Sequence, residues 1–168
     1  MPSLATPTTL DLLWTRLRAV RRVVLEVTGA ETQGRRNAET EGRRGGAAEG
    51  VVEWLNGRPQ EITWRERGQW TAGPLTGTRF SSGYSWTRRP DGTLSISHVR
   101  FGIERPVALV ELVEDDAGVW RSLLPHHCAE DRYAAAVEIE KDGVIVTWTV
   151  TGPTTGYVLR ARYLGLTH

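Results

Sequence analysis

The chain has 168 residues, 21 basic and 20 acidic side chains for a formal charge of +1, and one cysteine. That length fits one domain over residues 1–168, large enough to bury a core without a staple. A single cysteine excludes an internal disulfide framework and a cysteine-cluster zinc site, and the balanced charge gives no pull toward nucleic acid or a membrane surface. The first nine residues lack a basic segment followed by an apolar run, and nowhere do apolar residues approach the ~18 in a row of a spanning helix. The expectation is a cytoplasmic protein, monomeric or homodimeric, with no membrane or nucleic-acid partner.

In chain order, Thr8 and Thr9 offer an N-cap and Asp11 an acidic first turn. Leu10, Leu13, Trp14 and Leu17 follow at helical spacing, which predicts a short helix over about residues 10–17. Such a helix commonly plugs one end of a barrel. From Arg21 the period changes to two, with Val23, Leu25 and Val27 on one face. Gly29 to Gly46 is polar, glycine-rich and without apolar periodicity, so it reads as a mobile loop, with a lid over a pocket as the functional alternative.

From Ala47 the chain is strands and turns. Ile62, Trp64, Glu66 and Trp70 share one face, and Thr63, Arg65 and Arg67 the other. Phe80, Tyr84 and Trp86 share a face between Arg79 and Thr87. After the Pro90, Asp91, Gly92 turn, Leu94, Ile96, His98 and Arg100 align. Further alternating runs cover Val107 to Val113, Trp120 to Leu124, Val137 to Glu140, Val144 to Thr151 and Tyr157 to Leu164. Eight to ten short, regularly spaced strands joined as consecutive hairpins predict an all-β, closed, antiparallel up-and-down barrel after one short helix. Closure also removes exposed sheet edges. A barrel of about eight strands can hold one small ligand.

Reactive side chains are densest between Pro125 and Tyr133. His126 and Cys128 are two apart, as are Asp131 and Tyr133. An unbroken strand would put the two pairs on opposite faces, and a bulge or bend around Ala129 and Glu130 could bring all four inward. A Cys128 thiol beside His126 could be a nucleophile with its base, oriented by Asp131. A buried polar network of His126, Asp131 and Tyr133, or plain ligand contact, are the other readings. Trp64, Glu66, Tyr84, Trp86, His98, Arg100 and Trp148 are the candidate ligand contacts. On an inward face Arg100 would need an anionic partner, either Glu66 or a ligand carboxylate. Metal ligands are not evident from spacing, and no cofactor is expected.

His126, Cys128, Asp131 and Tyr133, followed by Trp148, Val150, Gly152, Pro153 and Tyr157 and then Arg162 and Tyr163, resemble a family of bacterial and fungal proteins of unknown function. Trp64, Glu66 and Gly68 match its earlier aromatic-x-Glu-x-Gly element, and Tyr84 with Trp86 its central strand. That family is similar in size and strand pattern to the calycins: lipocalins, fatty-acid-binding proteins, nitrobindins and bilin lyases. The resemblance runs from about Arg21 to Leu164. It departs where the family tends to carry a lysine after its Gly-Pro, since Thr154, Thr155 and Gly156 stand here, and in the first strand at Arg18 to Arg21. The resemblance implies a lipocalin-like barrel holding a largely apolar or aromatic small molecule. The alternatives are a cofactor-independent cyclase, isomerase or lyase using acid–base catalysis, possible in secondary-metabolite biosynthesis, and a nitrobindin-like haem protein with His126 or His98 as axial ligand.

Overall fold

In the computed structural model, residues 5–29, 45–153 and 156–165 are described. Residues 30–44 of the loop expected over Gly29 to Gly46 and the Thr154 and Thr155 departure lie outside them, while Gly29 ends β1 and Gly46 begins β2. One helix, α1 (Thr9–Ala19), precedes eleven strands: β1 (Val20–Gly29), β2 (Gly46–Arg58), β3 (Glu61–Ala72), β4 (Arg79–Arg88), β5 (Leu94–His98), β6 (Val107–Glu114), β7 (Trp120–Ser122), β8 (His126–Cys128), β9 (Asp131–Glu140), β10 (Gly143–Thr151) and β11 (Gly156–Gly165). No helix among the described residues is long and apolar enough to cross a membrane.

Ten strands close into one antiparallel barrel. Pairing runs β1 to β7 in order, then to β9, β10 and β11, and β11 returns to β1. Strand β8 pairs only with the start of β9. The closed meander fits the calycin-like architecture. Each of the ten strands has a partner on both sides over part of its length, which is how an all-β chain of this size limits open edges.

Helix α1 starts where Thr8 and Asp11 form a reciprocal capping box. It runs two residues past the end that its apolar spacing predicts, and Val20 passes directly from the last helical turn into β1. Leu13, Trp14 and Leu17 point down onto the barrel end and are buried. Trp14 Nε1 donates to the Pro59 carbonyl, and Arg88 pairs with Asp11, which pins the plug to the β2–β3 and β4–β5 turns.

Registers define the inner face. Val23 lies opposite Tyr163, Tyr163 opposite Val144, and Val144 opposite Ile139. One layer up, Leu25, Ala161, Val146 and Val137 align, then Val27, Leu159, Trp148 and Ala135. On the far wall, Ile62 lies opposite Trp86, Trp64 opposite Tyr84, and Glu66 opposite Ser82. Burial along this face is graded. Near α1, Ile62, Trp86, Leu94, Leu112, Trp120 and Val144 are sealed. At the other end, inward positions such as Val27, Trp70, Phe80, His98 and Leu159 are only half-buried. The inward face is thus sealed beneath the helical plug and more accessible toward the other end.

Two glycines let the wall bend. Gly50 and Gly68 are cross-strand partners at an inward layer. A Cβ on Gly68 would overlap the Glu49 carbonyl and come within 2.7 Å of Gly50 Cα. Strands β2 and β3 therefore approach more closely there than side chains permit, which is how a strand pair coils sharply at a barrel corner.

Candidate functional site

The centre of the lumen is built around Glu66. Strand alternation points it inward between Trp64 and Gly68, and it is 2% exposed. Tyr163, from across the barrel on β11, donates its hydroxyl to Glu66 Oε1 at 2.6 Å. Trp64 Nε1 donates to the same oxygen at 3.0 Å. The Trp64 ring lies between Trp86 and Tyr163, with centroids 5.7 and 5.2 Å away. Desolvation pushes the Glu66 carboxyl above its ordinary range, and the two hydrogen bonds only partly oppose that rise.

Tyr84 and His98 form the next layer. They are cross-strand partners with rings 5.4 Å apart, edge to face. Burial, with Glu66 charge as the smaller cause, pushes the Tyr84 phenol up to about 12, while hydrogen bonding with Ser82 opposes. The same causes hold Tyr163 well above its usual value. The His98 imidazole is lowered, by burial first and by the Arg100 charge second. Its Nδ1 accepts the Arg100 backbone N–H at 3.2 Å, which leaves Nε2 as the proton-bearing nitrogen of the neutral ring.

The floor makes a pH prediction. The folded Glu66 carboxyl lies above its unfolded value, so the native state holds its proton more tightly. That contribution is fully present below the ordinary glutamate value near 4.5 and is lost as pH rises through the raised folded value. Stability of the wild type, followed by urea denaturation, should fall over that range, and Glu66→Gln should flatten the slope. An unchanged slope in the variant would show that Glu66 is not desolvated as described.

The expected irregularity at Ala129 and Glu130 is a two-residue hairpin turn. Ala129 takes φ +54° there. His126 lies opposite Tyr133 and Cys128 opposite Asp131, so all four share one face of the β8–β9 hairpin. That face continues through Tyr133 into the inward row of Ala135 and Val137. It lies at the open rim: His126, Asp131 and Tyr133 are half-buried and Cys128 is exposed. The group is therefore only partly withdrawn from solvent. His126 packs its ring 6.2 Å from Tyr133. Asp131 instead lies against Gly152, whose missing side chain makes room for the carboxylate. This contact gives a physical reason for the motif's aspartate to pair with its Gly-Pro.

Arg100 needs a second correction. Strand β5 ends at His98, and the chain turns through Gly102 at φ +98°. Arg100 is exposed beyond the strand, with its guanidinium 4.5 Å from the Phe101 ring centroid, and it does not reach Glu66. Trp86 faces inward but lies in the sealed half, where only core side chains reach it. Trp148 is buried midway up the lumen, between Ala135 and Leu159 in register. Among the described residues no three histidine, cysteine, aspartate or glutamate side chains converge as a metal site.

Sequence reasoning missed Tyr163 as the partner of Glu66. Alternation in β11 marks it as inward, yet nothing local says which of the other strands it faces. Ser82, Phe80, Trp70 and Leu159 were also missed as lumen walls, because each is an ordinary barrel residue until the open end is known.

No curated protein matches the chain in sequence. A family model does match residues 20–164, which covers the whole barrel and leaves out the helical plug. The chain belongs to the family of unknown function DUF6314.

Proposed function

We propose that this barrel binds a small, largely apolar organic molecule in its lumen. The reading rests on the burial gradient of the inward face, sealed at α1 and half-buried toward the other end. Ten strands enclose more space than eight, which side chains alone would fill. Small residues widen the middle further, since Ala48, Gly50, Gly68, Ser82, Ala135 and Ala161 all occupy inward positions. Aromatic walls with a few convergent polar groups are the usual make-up of a ligand pocket. Among the described residues, six of the eight large exposed apolar side chains, Leu75, Phe101, Ile103, Val107, Leu123 and Leu124, lie on the connections or strand end opposite the plug. An apolar entrance suits an apolar cargo.

The test uses Prodan, a small neutral dye whose emission reports polarity. It should bind one per chain and quench tryptophan emission. Leu159→Trp, which fills the open half, should weaken binding at least 10-fold. Val51→Trp, on the outer face and 59% exposed, should leave it unchanged. Equal effects of the two variants, or no dye binding, would reject a lumen site.

The acid–base enzyme reading is favoured by one observation: a carboxyl pushed up by burial and an imidazole pushed down by partial burial lie on the same inner face, with the Tyr84 ring beside the imidazole. It predicts that a ligand recovered from the purified protein by native mass spectrometry exchanges a carbon-bound hydrogen in D2O with the wild type and not with Glu66→Gln. Equal exchange with both proteins would remove Glu66 from any such chemistry.

A further inference from the structure

Large apolar side chains left in water gather at one end of the barrel. The connections opposite the plug carry Leu75, Phe101, Ile103, Leu123 and Leu124, between 47% and 76% exposed. Single exposed apolar residues are ordinary, whereas several grouped at one end mark an interaction surface.

The β5–β6 connection presents its apolar pair on an ordered turn. Val99 N–H donates to the Gly83 carbonyl at 3.0 Å, which anchors the connection on β4. Gly102 N–H donates back to the Val99 carbonyl at 2.9 Å, and Arg105 N–H to the Gly102 carbonyl at 3.1 Å. Gly102 takes φ +98°, and nothing lies within 4 Å of the Cβ it lacks, so the apex stands clear of the barrel. Phe101 and Ile103 flank that apex. Burying them against the wall would gain their transfer energy, and the hydrogen bonds of the turn hold them out in water instead.

Charge frames this tip. Arg100 precedes Phe101 and lays its guanidinium 4.5 Å from the ring centroid, and Arg105 follows Ile103 by two residues and is exposed. Glu104 is the one acid between Val99 and Pro106. Arginine stems are long enough to keep their heads at a charged surface while neighbouring side chains enter an apolar layer beneath it.

We propose that this end of the barrel docks peripherally on an anionic lipid bilayer, with Phe101 and Ile103 entering the acyl boundary and Arg100 and Arg105 meeting lipid phosphates. Interfacial binding of this kind grows with buried apolar area and with attraction to anionic headgroups, and the turn supplies both. Area decides against a second copy of the chain. A stable protein interface buries roughly 800 Å² on each partner. A phenylalanine buries roughly 150–250 Å² even when fully covered, so a tip with two apolar side chains falls well short. Two copies meeting tip to tip would also set Arg100 and Arg105 against themselves. A bilayer needs no matching pocket. The docking is peripheral, since no helix among the described residues is long and apolar enough to cross. The expectation of no membrane partner came from the charge of the whole chain, which averages over residues that the fold separates. The proposal is independent of what the lumen holds.

The experiment mixes the whole chain with vesicles of phosphatidylcholine, with and without phosphatidylglycerol, and separates bound protein by flotation. The chain should bind the phosphatidylglycerol vesicles at least 10-fold more tightly than phosphatidylcholine alone. The double variant Phe101→Ser, Ile103→Ser should weaken that binding at least 10-fold. Arg100→Gln with Arg105→Gln should bring it down to the phosphatidylcholine level. Val51→Ser, which removes an exposed apolar side chain from the outer wall, should change nothing. No flotation of the wild type with phosphatidylglycerol, equal affinity for the two lipids, or full binding by the serine variant overturns the proposal. A concentration-dependent dimer in sedimentation that the serine variant abolishes also overturns it, because the tip then belongs to a second copy. If the serine variant does not fold, Phe101→Trp replaces it: brominated acyl chains should quench its tryptophan emission more than that of the wild type, and unchanged quenching overturns the proposal. Prodan binding without vesicles decides the lumen reading separately.

Discussion

Trp64→Ala is expected to lower the unfolding free energy by about 4 kcal/mol, within the usual range for truncating a fully buried tryptophan. The residue is 0% exposed, so all of its transfer energy is at stake. Its ring is packed between Trp86 and Tyr163, both held by the barrel wall, so the cavity has little freedom to collapse. The change also strips Glu66 of one of its two donors. Trp64→Phe separates these effects. It keeps most of the ring and removes the N–H, which should cost about 1–3 kcal/mol for the under-satisfied buried carboxyl. Chemical denaturation monitored by far-UV circular dichroism measures both. A cost for Trp64→Ala below about 1.5 kcal/mol would mean that the core around Glu66 is looser than described.

Gly68→Ala is the second large effect. Overpacking normally costs about 1–3 kcal/mol, and this site belongs at or above the top of that range. The added Cβ would meet the Glu49 carbonyl, the Gly50 Cα and, at 2.6 Å, the Phe80 ring. The first two are backbone, so relief requires parting β2 from β3, the pair that shares the most extensive register in the barrel. Gly92→Ala is the control. Gly92 has φ +86° in the β4–β5 turn, but nothing lies within 4 Å of its would-be Cβ. It should pay only the left-handed backbone penalty of about 1–2 kcal/mol. Equal destabilisation by the two variants would show that close strand approach is not what Gly68 provides.

Much of the architecture is legible in the residues. The two-residue period of Ile62 to Trp70 and Val144 to Thr151 specifies strands with one buried face, because a pleated chain exposes alternate side chains to opposite environments. The helical spacing of Leu13, Trp14 and Leu17 specifies a plug with one apolar stripe. Turn chemistry at Asp91 and Gly92 and at Asp142 and Gly143 marks where neighbouring strands reverse. Local order plus the need to leave few edges is enough to predict a closed meander. The two-residue turn at Ala129 and Glu130 escaped this logic, because alanine in the left-handed region carries no turn signature.

What the sequence by itself determined is therefore the set of strands, which side chains of each share a face, and the barrel that consecutive hairpins make. Tertiary structure alone decided which inward residues meet across the lumen and which end is open. Tyr163 reaches Glu66 from 97 residues away. Arg100 leaves the inner face because β5 stops two residues earlier. Asp131 fits against Gly152, just past the end of another strand. Each outcome depends on shear, strand length and closure. Those properties belong to the whole barrel, since moving a partner strand by two residues preserves every local pattern and changes which side chains face one another.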